Sequence, residues 1–343
     1  MGGAGAGRAA ARAATVKVLV TGASGMLGRA VADALGARGD AVTLLQRRPS
    51  GRPDREILAD IADGGAVAAA VAGQDAVIHL AAKVDVSGSR RDYARANVTG
   101  TRNVLEACRA AGVARLVHVS SPSVAHAGTS LVGAGAGPAD PVRARGHYAR
   151  SKAVAELLAL GGGPGPPAVV AIRPHLVWGP GDTQLVGRIV ERARAGRLFT
   201  IGSGAALIDS TYVTNAADAL VAALEHCHRL AGQALVVSNG EPRPVAELLA
   251  SICRAVGVAP PRHSVPTGVA RAAGTVVDAA WAAVPLLRRT GDPPLTRFLA
   301  EQLSTAHWFD QRYTRSALDW TPRVSLDRGL AALAAGPQPR SSR

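Results

Sequence analysis

The fold is decided near the start of the chain by the stretch KVLVTGASGMLG, residues 17–28. Its first four residues form a short strand-like run, and a helical pattern begins where the glycine-rich turn ends. In the spacing G-x-x-G-x-x-G, the first glycine makes a tight turn, the second lets the backbone approach a pyrophosphate, and the third lets the helix pack closely on the strand. The stretch predicts a dinucleotide-binding turn at a helix N-terminus, with contacts from Gly22, Ser24, Gly25, Met26, Leu27 and Gly28.

Apolar strands alternate with helices through the first half of the chain. The strands are expected at residues 17–20, 41–45, 76–80, 116–119 and 168–173, and the helices at residues 26–37, 67–72, 93–111 and 147–160. Strands that alternate with helices of this length form a parallel sheet covered on both faces, and right-handed crossovers make that sheet doubly wound. We therefore expect an α/β fold with a doubly wound parallel sheet (Rossmann) and a smaller C-terminal substrate lobe.

Changes in composition predict the domain boundaries. The two ends of the chain are of low complexity, and Pro/Gly punctuation in the second half indicates that the chain leaves the sheet and re-enters it. The predicted units are a disordered extension (1–14), a dinucleotide-binding domain (15–179 with 205–240), a substrate lobe (180–204 and 241–335) and a flexible tail (336–343). Within the lobe, the apolar residues 274–287 are expected to form a buried helix, with weak membrane contact as the alternative.

The formal net charge of +14 raises the question of a nucleic-acid partner. Only Lys17, Lys83 and Lys152 are lysines, and the many arginines are scattered along the chain rather than gathered in one motif. We therefore expect no nucleic-acid partner, although the charge favours anionic ligands. No apolar run reaches the roughly 18 residues of a membrane-spanning helix, so no transmembrane segment is expected.

The three cysteines lie far apart, without the spacing of a disulfide framework or of a metal site. The run His226-Cys227-His228 is rich in ligand atoms, but it lies in a helical stretch where neighbouring side chains do not face one point. The sequence therefore predicts no metal and a reducing, cytoplasmic location.

The end of the second expected strand indicates the choice of cofactor. An acidic residue there would bind the ribose 2′-hydroxyl of NAD(H), but this chain has Gln46-Arg47-Arg48. An arginine can hold a 2′-phosphate through paired hydrogen bonds, whereas a carboxylate would repel it. NADP(H) is therefore favoured over NAD(H), with Arg47 as the predicted phosphate contact. Farther along the chain, Asp60 and Ile61 are expected to meet the adenine amino group.

Tyr148 and Lys152 lie four residues apart in an expected helix, so they share one helix face. A phenol with a pKa of about 10 is a poor acid–base catalyst at neutral pH, and an adjacent ammonium lowers that pKa. Ser120 and Ser121 directly follow a strand and can hold a substrate oxygen with a hydroxyl group. The pattern predicts hydride transfer to or from a carbonyl carbon, with Tyr148 as the acid–base residue.

Further segments accompany these motifs in a fixed order along the chain. They are His79-Leu80-Ala81-Ala82, Asn97-Val98-Thr99-Gly100-Thr101, Val119-Ser120-Ser121 and RPHLVWGPG at residues 173–181. With the glycine turn and the Tyr/Lys helix they span nearly the whole chain, which resembles an extended short-chain dehydrogenase/reductase. The resemblance is greatest to the 3β-hydroxysteroid dehydrogenase branch, and the segments at 121–124, 173–182 and 295–298 are similar to those of bacterial 2-alkyl-3-oxoalkanoate reductases.

This resemblance implies roles for individual residues. It implies a catalytic set of Ser121, Tyr148 and Lys152, joined by Asn97 as the anchor of a proton-relay water, with Ser120 and Ser123 as close alternatives to Ser121. The residues expected to line the cofactor or flank its nicotinamide are Ala81, Ala82, Lys83, Tyr148, Lys152, Pro174, His175 and Val177. The resemblance also implies a homodimer formed through the helices expected at residues 93–111 and 147–160.

The function expected from the motifs is NADP(H)-dependent reduction of a β-keto group, or the reverse oxidation, on a small hydrophobic substrate such as a 2-alkyl-3-oxoalkanoate. A hydroxysteroid or sterol dehydrogenase is the first alternative. A nucleotide-sugar epimerase or reductase is disfavoured because the lobe is so apolar. A non-catalytic protein that senses dinucleotides is the alternative of another class, and retention of the Tyr148/Lys152 pair argues against it.

Overall fold

A computed structural model describes residues 15–84, 88–126, 128–163, 165–283 and 296–336. The strands are β1 (Lys17–Thr21), β2 (Ala41–Gln46), β3 (Arg55–Leu58), β4 (Ala76–His79), β5 (Arg115–Val119), β6 (Leu131–Ala134), β7 (Ala168–Pro174), β8 (Val177–Trp178), β9 (Thr200–Ile201), β10 (Leu207–Ile208), β11 (Thr211–Tyr212), β12 (Ala234–Val237), β13 (Arg243–Pro244), β14 (Ser264–Val265) and β15 (His307–Phe309).

The helices cover both faces of the central sheet and build most of the lobe. They are α1 (Met26–Arg38), α2 (Gly64–Val71), α3 (Arg90–Tyr93), α4 (Gly100–Ala110), α5 (Gly146–Leu160), α6 (Leu185–Arg194), α7 (Val213–Glu225), α8 (Val245–Ala255), α9 (Thr267–Ala283), α10 (Arg297–Ser304), α11 (Arg312–Leu318) and α12 (Leu326–Ala335). A π-helical segment, Ala94–Thr99, joins α3 to α4, and a 3₁₀ turn, Pro122–Ala125, follows β5.

The central sheet has seven strands in the order β12-β7-β5-β4-β1-β2-β3, and every pairing in it is parallel. Strand order reverses beside β1, so the sheet is wound in both directions from there, and its strands end at one common edge. This arrangement confirms the expected doubly wound α/β fold. Strand β3, for which the sequence predicted no bounds, is short and carries polar residues.

Two apolar clusters hold helices against the faces of this sheet. On one face, α1 and α7 pack through residues such as Val31, Leu35 and Leu220. On the other face, α2 and α4 pack through residues such as Val67 and Val104. Because both faces are covered, the strands are nearly continuous apolar runs, as parallel sheets require.

The lobe is built on a small sheet in the order β13-β10-β15-β6 and on an apolar cluster of its own. Strands β6 and β10 lie within the ranges predicted for the dinucleotide-binding domain, yet both pair with β15 or β13 of the lobe sheet. The strands of the lobe sheet therefore come from segments between residues 131 and 309, and composition alone does not mark β6 and β10 as part of it.

The apolar residues 274–287, which were expected to form a buried helix, are largely exposed where the structure describes them. Helix α9 covers their first part, but the helix surface is largely open to solvent, and Val276 is 69% exposed. Residues 284–287 lie outside the described part of the chain. Among the described residues, no helix is both long and apolar enough to cross a membrane.

Candidate active site

The glycine turn after β1 has the geometry that its spacing predicts. Gly22 has a φ of +79°, and a Cβ there would lie 2.8 Å from the backbone nitrogen of Ala81. A Cβ on Gly28 would lie 2.5 Å from the carbonyl oxygen of Gly22. Gly25 caps α1 in an extended conformation without a side-chain hydrogen bond, so the first N–H groups of the helix remain available to an anion. The turn therefore fits a pyrophosphate.

The other predicted contacts in this turn differ in their surroundings. Ser24 is exposed, and its carbonyl oxygen lies 3.5 Å from Nε of Arg29. Met26 and Leu27 are half-buried and pack against the apolar cluster of the lobe. The N-terminus of α1 is thereby fixed to both parts of the molecule.

The end of β2 carries no carboxylate of its own, but one reaches it from the neighbouring strand. Arg47 and Arg48 are exposed, whereas the Gln46 side chain is buried. Nε2 of Gln46 donates a hydrogen bond to Glu56 of β3, which also accepts from the backbone N–H of Ser50 at 2.8 Å. Nothing in the local sequence around Gln46 indicates Glu56, because the two residues meet only through strand pairing.

Asp60 and Ile61 follow β3 at the same edge of the sheet. Asp60 accepts a hydrogen bond from the Ala62 N–H at 2.9 Å and forms an ion pair with Arg95 at 3.0 Å. Ile61 is buried, and it packs so close to Gly100 that a Cβ on the glycine would lie 2.5 Å from its Cδ1. The expected contact of these residues with adenine stays a prediction.

Asn97 lies in the π-helical segment, where a single α-helix was expected over residues 93–111. Its Oδ1 accepts a hydrogen bond from the Lys83 N–H at 2.7 Å, and its Nδ2 donates to the Ser151 hydroxyl at 2.9 Å. The Ser151 hydroxyl donates in turn to the Tyr148 carbonyl at 2.8 Å. The π-helical turn, a feature common at functional sites, thus lets one buried amide join the loop after β4 to α5.

The loop after β4 is fixed from beneath by a chain of buried hydrogen bonds. The Thr21 hydroxyl lies 3.0 Å from the Ala81 N–H and 2.8 Å from Nδ1 of His79, and Nε2 of His79 lies 3.1 Å from the Thr101 hydroxyl. Burial, and secondarily the charge of Lys152, lowers the pKa of His79 to about 3, so the imidazole is neutral. His79 therefore has a structural role, and Ala81 to Lys83 lie where the glycine turn opens.

The structure places Ser121, rather than Ser120, at the phenol of Tyr148. Ser121 caps the 3₁₀ turn after β5, and its hydroxyl lies 2.9 Å from the Ser123 hydroxyl. Its side chain is near enough to the Tyr148 phenol to lower the pKa of that group. The Ser120 hydroxyl is buried and has no hydrogen-bond partner in the described part of the chain. Ser123 is thus hydrogen-bonded to Ser121.

Burial raises the pKa of Tyr148, and the Ser121 hydrogen bond opposes that shift. The expectation that Lys152 lowers this pKa stays a prediction. Nζ of Lys152 donates to the carbonyl of Val119 at 2.5 Å, so its charge is directed toward β5. Burial lowers the pKa of Lys152 itself to about 8, while the charge of Glu156 acts in the opposite sense.

A buried ion pair supports this site from behind. Nε of Arg173 on β7 donates to Glu156 on α5 at 2.8 Å, and both side chains are almost fully buried. The same guanidinium also donates to the carbonyls of Ala136 and Gly137, in the segment before α5. Arg173 therefore fixes the segment that leads into the Tyr148 helix. No local sequence pattern indicates this pair, because its members lie on different elements.

The segment after β7 turns sharply at the predicted nicotinamide position. Leu176 has a φ of +43°, which is unusual for a residue with a side chain, and the Thr211 hydroxyl donates to the His175 carbonyl at 2.7 Å. Pro174 and Val177 flank this strained residue and are half-buried. Strain of this kind persists where the surrounding structure fixes the backbone, and it clusters at functional sites.

Three buried histidines lie past the ends of β5 and β7. The rings of His126 and His307 are 4.5 Å apart, and the ring of His175 packs edge-on against Phe309 at 5.0 Å. Burial lowers the pKa of His175 to about 3 and that of His307 to about 4. Each of the three has an Nδ1 that lacks a hydrogen-bond partner among the described residues. The sequence predicted His175 beside the nicotinamide, but no local pattern brings the three histidines together.

Comparisons with known proteins agree with this geometry. Residues 18–238 match the NAD dependent epimerase/dehydratase family. The chain is 43% identical to the 2-alkyl-3-oxoalkanoate reductase of Stenotrophomonas maltophilia (strain K279a), over 93% of this chain and 99% of that protein. It is 29% identical to the human sterol-4-alpha-carboxylate 3-dehydrogenase, decarboxylating, over 91% of this chain and 85% of that protein.

Among solved structures, MoeE5 in complex with UDP-glucose and NAD matches with a TM-score of 0.72 and 26% identity, over 93% of this chain and 97% of that chain. Several similar proteins are named reductases or dehydrogenases, and a 3-beta-hydroxysteroid dehydrogenase of Mycolicibacterium neoaurum is among them. The chain therefore belongs to the NAD dependent epimerase/dehydratase family, the extended short-chain dehydrogenase/reductases, and is an oxidoreductase of that family.

Proposed function

We propose that this protein uses NADP(H) to reduce the β-keto group of a small hydrophobic acid, such as a 2-alkyl-3-oxoalkanoate, or to oxidise the corresponding alcohol. The observation that carries the proposal is the proximity of the Ser121 side chain to the Tyr148 phenol, past the end of β5 in the sheet whose β1 leads into the glycine turn. The reductase relative that the chain matches almost end to end supports the choice of substrate class.

The proposed chemistry divides between cofactor and protein. When bound, the nicotinamide supplies or accepts the hydride at the substrate carbon. In the reducing direction, the Tyr148 hydroxyl gives its proton to the carbonyl oxygen as negative charge develops there, and Ser121 holds that oxygen with a second hydrogen bond. In the oxidising direction, the same two hydroxyls hold the alcohol, and Tyr148 takes its proton.

Lys152 and Asn97 support this proton transfer. A buried ammonium one helical turn from Tyr148 favours the phenolate once it turns from the Val119 carbonyl toward the site. Asn97 holds the Lys83 backbone and Ser151, and we propose that it anchors the water through which Tyr148 regains its proton. In this reading Ser121 is the catalytic serine, and Ser123 orients it.

The preference for NADP(H) rests on Gln46-Arg47-Arg48. Arg47 and Arg48 are exposed at the end of β2, where a 2′-phosphate would lie, and the turn between Gln46 and β3 gives them room to close on it. The homodimer expected through α4 and α5 stays a prediction.

A sterol substrate is the second candidate. It is favoured by the identity to the human sterol-4-alpha-carboxylate 3-dehydrogenase over most of both chains. A keto-sugar nucleotide is the third, because the matching MoeE5 structure holds UDP-glucose. All three share the Tyr148 chemistry, so substrate tests rather than active-site variants separate them.

The proposal is tested by following oxidation of NADPH and NADH with a 2-alkyl-3-keto acid, a 3-ketosteroid and a keto-sugar nucleotide, and by the reverse reaction with a 2-alkyl-3-hydroxy acid. We expect turnover with the keto acid. Tyr148→Phe should lower kcat by about a thousandfold while NADPH binding is retained, since acid–base catalysis contributes on that order.

Tyr313→Phe is the matched control, because Tyr313 is exposed and far along the chain from the site. Ser121→Ala should lower kcat by more than Ser120→Ala or Ser123→Ala does. Turnover with only the ketosteroid or only the keto-sugar would replace the proposed substrate by that class. Unchanged turnover in Tyr148→Phe would overturn the catalytic assignment itself.

A further inference from the structure

The side-chain amide of Gln46 at the end of β2 is held in one orientation. Gln46 is 3% exposed, and its Nε2 donates a hydrogen bond to Oε1 of Glu56. The carbonyl oxygen of the same amide is buried and has no hydrogen-bond partner among the residues that the structure describes. One half of the amide is thus satisfied by the protein, and the other half is a free acceptor.

Glu56 decides which half is free. The backbone N–H and the hydroxyl of Ser50 donate to its Oε1 at 2.8 Å and 2.7 Å. These hydrogen bonds lower the pKa of Glu56, so the side chain is a carboxylate at neutral pH. Because a carboxylate only accepts hydrogen bonds, the NH₂ group of Gln46 must face Glu56 and its oxygen must face away.

The position of Gln46 suggests which ligand group this free oxygen contacts. In dinucleotide-binding folds, a carboxylate about 20 residues after the glycine turn accepts a hydrogen bond from the ribose 2′-hydroxyl. Gln46 ends the second strand at that distance from the turn. An amide oxygen can accept from the same hydroxyl, and an unmet buried acceptor is costly until a donor reaches it.

We propose that Glu56 is a positioning residue that turns the Gln46 carbonyl oxygen toward the 2′ position of the adenosine ribose and so keeps NAD(H) usable by this protein. A 2′-phosphate at that position would meet an acceptor instead of a donor, with a carboxylate behind it. This inference rests on the dinucleotide site of the proposed function.

Glu56 and the two arginines then act in opposite directions. Arg47 and Arg48 attract a 2′-phosphate, whereas Glu56 opposes it both by its charge and through Gln46. Arg29 of α1 donates to the Ser50 carbonyl at 3.1 Å and so helps to hold the loop on which this balance depends. The local sequence contains only the arginines, which is why it indicates NADP(H) alone.

The test measures the dissociation constants of NADPH and NADH for the full chain without substrate, from quenching of protein fluorescence. Glu56→Gln removes the charge but keeps an acceptor for Ser50. We expect the affinity for NADPH relative to NADH to rise about fivefold, the size of losing one partly screened charge beside a phosphate. A loss of fold alone would weaken both cofactors in parallel and leave their ratio unchanged.

Gln46→Leu is the second variant, because it removes the free oxygen directly. Here NADH binding should weaken about fivefold, which corresponds to one hydrogen bond, with a smaller change for NADPH. Glu247→Gln, which removes a carboxylate from an exposed ion pair on α8, is the charge control and should leave the ratio unchanged.

An unchanged NADPH-to-NADH ratio in both site variants would overturn the inference while leaving the proposed function intact. Failure of the wild-type protein to bind either dinucleotide would overturn both. A NADPH-to-NADH affinity ratio that shifts in each variant as stated would support the inference.

Discussion

The proposed cofactor side and the proposed substrate side of the site are held together by different interactions. On the cofactor side, which comprises the turn after β1 and the start of α1, the backbone itself sets the geometry, because Gly22 and Gly28 leave no room for a Cβ. On the substrate side, at the ends of β5 and β7, buried charged and polar side chains set it. There Arg173 pairs with Glu156, and Lys152 donates to the Val119 carbonyl.

This difference has a cost and a consequence. Close backbone packing buries no charge and so needs no compensating partner, whereas each buried charge destabilises the fold unless a partner compensates it. Removing a charged side chain should therefore destabilise the substrate side more, whereas adding a side chain to a glycine should disturb the cofactor side more. The substitutions below separate these two kinds of dependence.

The largest expected effect is on the substrate side. Glu156→Gln removes one charge of the buried pair and leaves the Arg173 guanidinium buried without its counter-charge. We expect the free energy of unfolding to fall by about 3–5 kcal/mol, as when one partner of a buried ion pair is removed. Denaturant titration with a cofactor-free sample measures this change.

The exposed pair of Arg243 and Glu247 provides the comparison. Glu247→Gln should change the free energy of unfolding by less than about 1 kcal/mol, since exposed pairs contribute little. Equal losses in the two variants would mean that burial does not distinguish the pairs, and the contrast between the two sides of the site would fail.

The next effect is on the cofactor side. In Gly28→Ala the new Cβ would lie 2.5 Å from the Gly22 carbonyl oxygen and 2.7 Å from Cα of Ala23, and both are backbone atoms. Because backbone cannot yield easily, we expect a loss of about 1–3 kcal/mol of stability and weaker binding of NADPH and NADH alike. Calorimetry and fluorescence titration measure the two effects.

Gly36→Ala on the same helix is the matched control, since a Cβ there meets nothing within 4 Å. The Gly36→Ala variant should be more stable than wild type by up to about 1 kcal/mol, because alanine favours helix more than glycine does. A tolerated Gly28→Ala with unchanged cofactor binding would show that the turn can move, contrary to the geometry described above.

The same difference explains what the sequence could predict. A geometry made by backbone requires glycines at fixed spacing, so the strand, the turn and helix α1 could all be located from residues 17–28. Tyr148 and Lys152 were also visible, because one helix carries both. Contacts between separate segments could not be predicted from local patterns. These are the Gln46–Glu56 hydrogen bond, the Arg173–Glu156 ion pair and the ring contact of His126 with His307.

Local periodicity also misjudged two elements for physical reasons. The pattern of residues 93–111 predicts one helix, but the structure has a π-helical turn there, and Asn97 in that turn accepts from the Lys83 N–H and donates to the Lys83 carbonyl. The apolar character of α9 suggested burial, yet apolar composition does not say which face of a helix finds a partner.

The remaining prediction concerns Lys152 on the substrate side, whose ammonium links α5 to β5 and whose effect on stability depends on pH. Burial lowers its pKa from 10.5 to about 8 in the folded protein. Between these values the unfolded chain binds the proton that the folded protein has released, so this residue makes stability rise with pH in that window. Below about pH 8 both states are protonated, and the full cost of the buried charge is present.

Lys152→Met removes this titration. We expect wild type to gain about 2 kcal/mol of stability relative to the variant between about pH 7 and about pH 9.5, because the folded state gives up its proton first. Denaturant titrations of both proteins across that range measure the difference, in which groups common to both cancel. If the stability difference between wild type and Lys152→Met stayed constant with pH, the Lys152 ammonium would be solvated in the folded protein. The substrate side would then not contain the buried charge described above.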